Sequence, residues 1–439
     1  MENHQSIETV VRNGLCTGCG TCAGICPEDA IEMAVDHLRQ IYVPCRDREK
    51  CNECGICFDV CPGPPFDFKK LNLNIFSKEP EDILLGNYLN CYSGYATDYD
   101  IRYNSASGGL ATALLIFALE QGLIDGALVT GFREDKPLEP QPFIARTREE
   151  IIAAARSKYC PVPANVALKG ILNADEGERF AVVGLPCHIH GVRKAEAENK
   201  ILRERIVLHL GLCCTSTSTF SLIDLLLQKS GVDKEDVAEF GFRGYGWPGK
   251  GAVKTKDGSI RFVPLHKWLP WHSPGFFVPR RCLICPDAFA EFADISFGDA
   301  WHPRFAEDKV GRSIIITRSE MAEHTLSNMK SQGVVNLEGA EPRMIVESQP
   351  LMTYRKKKSL AARRRLFYRD VKSYGYFLDS GALDYIWAIY QHYYSSFVSR
   401  YLYPSGVLKH IPVEFVRLGR SPMFAISYLQ MKRVIRKYY

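Results

Sequence analysis

Eight cysteines in two matching arrays dictate what the first seventy residues can be. Cys16, Cys19, Cys22 and Cys26 are spaced C-x2-C-x2-C-x3-C and followed by Pro27; Cys51, Cys54, Cys57 and Cys61 repeat the spacing and end at Pro62. Three thiolates at such intervals wrap one loop around three corners of a cubane, and the fourth, carried onward, ligates the neighbouring cluster. The expected sets are Cys16, Cys19 and Cys22 with Cys61, and Cys51, Cys54 and Cys57 with Cys26. Gly18, Gly20 and Gly55 let the backbone bend close to the sulfides. Zinc patterns instead separate two C-x2-C pairs. Cys45 lies outside both arrays and reads as a packed thiol.

The whole chain has 16 cysteines. Met1–Val10 has neither an apolar run nor a basic leader, so it is not read as a secretory signal. A cytoplasmic setting is expected, with cysteines serving metal rather than disulfides. Apolar stretches such as Ala111–Leu119 fall short of the roughly 20 residues that span a bilayer. Charge is unevenly placed: from Leu351 to Tyr439 there are 17 Lys/Arg against 4 Asp/Glu, while the chain as a whole is only +5. The body is therefore acidic and the tail basic.

Beyond an irregular stretch to about Asn90, a helix is expected over Leu110–Gln121, with Ser107 as its N-cap and Gly122 as its stop. A Ser-Gly-Gly start of this kind offers N–H groups to an anion. Ile124–Phe132, Arg179–Leu185 and Ile206–Leu212 read as strands, and Ser221–Ser230 as a helix. In parallel sheets ligands gather beyond the carboxyl ends of the strands. Cys187 and Cys214 would project there, joined by Arg281-Cys282-Leu-Ile-Cys285. Four cysteines from three places suggest a third 4Fe–4S site. A zinc site, a Cys282/Cys285 redox dithiol and ordinary buried thiols remain open on spacing alone.

Gly244, Gly246 and Gly249 match G-x-G-x-x-G by letter, yet Pro248 and the hairpin pattern of Gly251–Asp257 do not open a helix. His188, His190 and His209 are expected to hold hydrogen bonds rather than metal. Arg243, Lys250, Arg280 and Arg281 either face an acidic substrate or balance cluster charge.

Taken in order, the dicluster ferredoxin arrays, Ser105-Ala-Ser-Gly-Gly109, Ser157-Lys158-Tyr159, Gly184-Leu-Pro-Cys187, Gly211-Leu-Cys-Cys214, Phe242-Arg-Gly-Tyr-Gly-Trp-Pro-Gly249, Arg281-Cys282-Leu-Ile-Cys285 and Ala293-Asp-Ile-Ser-Phe-Gly-Asp299 resemble the coenzyme F420 hydrogenase/dehydrogenase β-subunit family. The resemblance covers about residues 10 to 345. It implies FAD near Ser107, Gly108, Gly109, Ser157, Lys158 and Tyr159, and a third 4Fe–4S cluster on Cys187, Cys214, Cys282 and Cys285. Cys213 competes with Cys214, the family position being the second of the pair. Cys160 has no assigned role.

The fold class implied is α+β and α/β: a dicluster ferredoxin domain (1–70), a linker (71–90), a mixed α/β FAD-binding domain (91–345) and a helical, basic C-terminal extension (346–439). The expected function is an iron–sulfur flavoprotein oxidoreductase, coupling reduced coenzyme F420 or another small molecule to a redox partner, either ferredoxin or a larger complex. The alternative is a non-catalytic electron-transfer subunit. The extension holds Arg355-Lys-Lys-Lys358, Arg363-Arg-Arg365 and 19 aromatic residues. It either packs on the core with its basic face solvated or docked on the acidic half, or lies on an anionic membrane surface on the inner face. Nucleic acid is not an expected partner, since no binding motif is present.

Overall fold

The computed structural model describes residues 6–272, 276–369, 375–404 and 406–439. The N-terminal cysteine arrays flank an antiparallel hairpin of β1 (Ile31–Asp36) and β2 (Ile41–Arg46). Short helices Thr21–Gly24 and Ile56–Asp59 carry Cys22 and Cys57, and each starts from a glycine at positive φ, Gly20 and Gly55. Left-handed backbone at those turns is why glycine stands there. Cys45 is exposed near the end of β2, not packed. The outward step of the strand at this position removes it from the hairpin's buried face.

The stretch expected as a linker is built into the molecule. Helix Phe68–Phe76 runs across its start, capped by Asp67, and Leu84 and Leu85 are fully buried. Two apolar side chains without solvent contact anchor the chain against the central sheet.

That sheet comprises β3 (Asn90–Ala96), β4 (Gly126–Phe132), β5 (Pro140–Ala145), β6 (Phe180–Gly184), β7 (Ile206–Leu212), β11 (Ile295–Asp299), β12 (Ser313–Thr317) and β13 (Val335–Gly339). Its order is β13-β3-β12-β11-β7-β6-β4-β5. The inner strands β11, β7, β6 and β4 are parallel, and antiparallel pairs close both sides. Strand β12 is buried throughout, as a strand covered on both faces must be. Ile315 packs with helix residues Leu114 and Leu326 on one face; Ile314 and Ile316 pack on the other. A separate antiparallel sheet has β8 (Val237–Gly241), β9 (Lys250–Thr255) and β10 (Ile260–Pro264). The G-x-G-x-x-G lookalike is the loop between β8 and β9, with positive φ at Gly244, Gly246 and Gly249.

The helix over Leu110–Glu120 starts from Gly109 (φ 76°), not from Ser107. Ser107 Oγ instead donates to the Arg312 carbonyl (2.7 Å).

The C-terminal extension is helical and packed. Helices Leu360–Phe367, Ala382–Phe397 and Val413–Tyr438 follow a π turn at Tyr354–Lys358. Tyr354, Trp387, Met423 and Met431 share a core with Leu84, Leu85 and Ile316. Arg355, Lys356, Lys357 and Arg363 are buried, so these cations form neither a solvated face nor a lipid-binding one. Among the described residues no helix is long and apolar enough to cross a membrane.

Candidate metal centres and cofactor cleft

The ferredoxin cysteines fall into two groups. Burial pushes Cys22 far up, and the like charges that add to it are, in order of effect, Cys19, Cys61, Cys16 and Cys57. Cys61 is raised by burial, then by Cys19 and Cys16. Cys57 is raised by burial and Cys54, with Cys26 and Cys51 contributing further. The groups are thus Cys16, Cys19, Cys22 and Cys61, and Cys26, Cys51, Cys54 and Cys57. The fourth cysteine of each array crosses to the other group.

The carboxyl edge of the large sheet gathers a third group. Cys187 opens the helix Pro186–Glu198 directly after β6. Cys214 follows β7, Cys282 sits within a 3-10 turn, Arg280–Ile284, and Cys285 directly follows that turn. Cys187 is raised by burial, then by the charges of Cys19, Cys282, Cys214 and Cys285. Cys214 is pushed up to about 12 by burial, against the pull of Lys356, with Cys282 and Cys285 adding repulsion. The Cys213 sulfur lies elsewhere, where a Cβ on Gly298 would meet it at 2.8 Å. A buried thiol of this kind ionises only beside a cation, which a bound iron cluster supplies.

The first ferredoxin group adjoins this third group. Of the cysteine charges that raise Cys187, that of Cys19 weighs most. Asn165 holds the junction: its Nδ2 donates to Thr21 Oγ1 (2.8 Å) and to the His188 carbonyl (2.9 Å), and its N–H donates to the Cys19 carbonyl (2.8 Å). Lys194 Nζ donates to the Cys61 carbonyl (2.6 Å).

A cleft of about 680 Å³ lies beside the end of β4, lined by Ser105, Phe132, Arg156, Ser157, Lys158 and Phe240 among others. Its size suits a small-molecule or cofactor site. Lys158 is half-buried, and desolvation lowers its ammonium to about 7, with Cys160 opposing and Arg156 assisting. Its Nζ donates to the carbonyls of Ala154, Ala155 and Arg156. Thr112, in the first turn of the Leu110–Glu120 helix, also lines the cleft.

The remaining flavin candidates are held differently. The Gly108 N–H donates to Ser313 Oγ (3.0 Å), and a Cβ there would lie 2.6 Å from the Gly94 carbonyl oxygen. Gly108 therefore allows the turn to pack against β3 and β12, and its N–H is spent within the protein. Tyr159 is turned into the aromatic set of Phe242, Trp268 and His272, with its hydroxyl accepting from Arg243 (3.2 Å).

The histidines are structural. His188 Nε2 bonds the Val162 carbonyl (3.1 Å), His190 bonds Asp287 (2.8 Å), and His209 lies between Asp294 (2.8 Å) and Glu196 (2.7 Å). Arg243 is buried against Asp299 (2.6 Å), and Arg281 donates to the Gly63 and Pro62 carbonyls. Arg280 stacks over Tyr368, and Lys250 over Phe262.

Sequence reasoning missed Lys356 and Arg355 as neighbours of the third group. A run of four cations reads as a solvated face, and no period marked which of them turn inward.

Three family models match in order. The 4Fe-4S dicluster domain matches residues 15–63. The N-terminal and C-terminal models of the coenzyme F420 hydrogenase/dehydrogenase beta subunit then match 91–169 and 177–343. Coenzyme F420 hydrogenase subunit beta of Methanosarcina barkeri is 32% identical over 248 residues, 53% of this chain and 80% of the relative. That of Methanothermobacter thermautotrophicus is 31% identical over 57% of this chain and 85% of the relative. Coenzyme F420-dependent sulfite reductase of Methanocaldococcus jannaschii is 29% identical over 353 residues, 76% of this chain and 49% of the relative.

Proposed function

Because the chain belongs to the coenzyme F420 hydrogenase/dehydrogenase β-subunit family, we propose that it is an iron–sulfur flavoprotein oxidoreductase. It would exchange electrons between a two-electron small molecule, reduced coenzyme F420 or another compound, and a one-electron protein partner. The observation that carries this reading is the Asn165 bridge, which bonds the Cys19 carbonyl (2.8 Å) and the carbonyl of His188, the residue after Cys187 (2.9 Å), and so ties the four-cysteine site of the central domain to the first ferredoxin group. Two sites so joined would form a route for electrons from the sheet edge to the N-terminal surface.

The match of residues 15–63 to a 4Fe-4S dicluster domain supports two 4Fe–4S clusters, which Cys16, Cys19, Cys22, Cys26, Cys51, Cys54, Cys57 and Cys61 would hold. Cys187, Cys214, Cys282 and Cys285 would hold a third. FAD would occupy the cleft lined by Ser157 and Lys158; such a cofactor supplies two-electron chemistry on one side and single electrons on the other. Lys158, with a pKa of about 7, can present charge to an anionic cofactor or substrate group without a counter-ion in the protein. Ser107, Gly108 and Gly109 set the start of the helix whose first turn borders that cleft.

The names of the relatives favour a second reading. Two of them are hydrogenase subunits, so this chain would serve as an electron-transfer subunit of a larger complex. One experiment separates the readings. The chain is purified anaerobically, its flavin identified by extraction, and reduced coenzyme F420 and other hydride donors are added. Bleaching of flavin absorbance in the isolated chain is expected; a chain with FAD that no donor bleaches would leave the subunit reading, and a chain without flavin would refute the flavoprotein assignment.

A further inference from the structure

The basic run that opens the C-terminal extension is folded into the heart of the third cysteine group. At Tyr354–Lys358 the helix widens into a π turn, closed by the Ser359 N–H donating to the Tyr354 carbonyl (2.9 Å). Such a turn adds a residue to the helical circuit and is frequent at functional sites. Here it fans consecutive cations in different directions. Lys357 reaches Glu291 (2.5 Å), and Lys358 reaches Asp384 (3.3 Å). Arg355 and Lys356 face the cysteines instead: the charges felt by Arg355 are Cys282 and Cys214, and those felt by Lys356 are Cys285, Cys214 and Cys282. Arg363 fastens the arrangement, donating to the Leu283 carbonyl (2.6 Å) between Cys282 and Cys285 and to the Arg355 carbonyl.

Lys356 is 2% exposed and hydrogen-bonds the Cys285 sulfur. Lysine is almost never fully buried unless paired. The charges that bear most on Lys356 are those of Cys285, Cys214 and Cys282, so the cysteine set supplies its main counter-charge. An iron–sulfur cubane with four thiolate ligands is net negative in both of its working redox states, and the reduced state is the more negative.

We propose that Lys356, seconded by Arg355, is the positioning and potential-setting cation of the third cluster, delivered by the C-terminal extension rather than by the domain that supplies the ligands. The proposal rests on the reading of Cys187, Cys214, Cys282 and Cys285 as cluster ligands. A fixed cation beside the cluster stabilises the form that has gained an electron, so it raises the electron affinity of that cluster relative to the two in the ferredoxin domain. No proton or bond changes in this step; one electron enters and the ammonium compensates it. The family match ends at residue 343, so this control belongs to a segment outside the shared region.

The test uses the full chain, prepared anaerobically as wild type, Lys356→Met, Lys356→Arg and the double variant Cys282→Ser/Cys285→Ser, with iron counts and redox titrations followed by electron paramagnetic resonance. The cysteine variant identifies the signal of the third cluster. In Lys356→Met that signal is expected to need a lower potential, by at least tenfold in electron affinity, about 59 mV for one electron. The two ferredoxin signals should stay in place, and Lys356→Arg should restore the potential. Loss of the third cluster in Lys356→Met with retention in Lys356→Arg would also support a charge requirement. An unmoved potential in Lys356→Met, or equal defects in Met and Arg variants, would overturn the proposal. Unchanged iron content in the cysteine variant would instead remove the third cluster itself, and this proposal with it.

Discussion

Lys357 and Glu291 offer the sharpest test of how the extension is held. Their side chains are 0% and 1% exposed and meet at 2.5 Å. Removing one partner of a buried pair costs about 3–5 kcal/mol, because the other is left charged without a partner; replacing both with apolar groups of similar size is often neutral. Burial pushes the Glu291 carboxyl up to about 7, with Lys357 and Arg318 pulling it down and Asp287 pushing it up. A carboxyl whose folded pKa exceeds its unfolded value of 4.5 is protonated in the native state when it is ionised in the unfolded one. Its contribution is therefore fully favourable below 4.5 and diminishes as pH rises toward 7. Lys357→Met removes the group that holds the pKa down, so Glu291 escapes readily by protonation at acid pH and only at greater cost at pH 8, where the unfolded carboxyl is ionised. We expect the variant to lose about 3 kcal/mol or more at pH 8 and clearly less at pH 5. Lys357→Met/Glu291→Met should recover most of the loss at pH 8. The assay is anaerobic thermal unfolding followed by circular dichroism at both pH values. A single variant that loses under about 1 kcal/mol at pH 8, or a double variant as weak as the single, would refute the reasoning.

Three further outcomes are expected. Iron analysis should give about twelve irons per chain, falling to about eight in Cys282→Ser/Cys285→Ser with the ferredoxin signals intact; an unchanged count in that variant would refute the third site. Gly191→Ala would place a Cβ 2.1 Å from Thr21 Oγ1 and 3.0 Å from Asn165 Nδ2. It should cost about 1–3 kcal/mol by overpacking and slow electron transfer between the third and first cysteine groups, read by stopped-flow reduction of the ferredoxin clusters. Normal reduction rates would count against that junction as the route. His209 is raised above its usual 6.5: burial and Arg193 oppose its charge, but Glu196 and Asp294 prevail. Its contribution is complete below 6.5 and is lost as pH climbs through the folded pKa, so wild type should lose up to about 1.4 kcal/mol per pH unit above 6.5 from this group, a slope missing in His209→Gln.

How much of this was legible in the chain depended on whether local spacing carried the information. The ferredoxin arrays were, because ligand spacing is itself the constraint: Cys61 and Cys26 have to cross for each loop to close on its cluster. Strands and helices of the central sheet followed from apolar runs, with Ile206–Leu212 and Ser221–Ser230 as expected and the helix after Gly109 losing only its anticipated cap. The central cysteines were visible one by one, yet only the sheet order brings the ends of β6 and β7 together beside the Arg280–Ile284 turn. Two kinds of feature were hidden. Leu84 and Leu85 sit in a segment without periodicity, so nothing local announced that it is core. The cations of the extension were seen and misplaced, because a lysine is assigned to solvent unless its counter-charge is known. For Lys357 that counter-charge is Glu291, 66 residues earlier, and for Lys356 it is a set of cysteines converging from separate elements. A π turn also breaks the 3.6-residue period by which an inward face would have been recognised. The extension thus packs its cations beside the third cysteine group in a way that no local pattern can assign, and their burial follows only once those cysteines are understood as a place where negative charge collects.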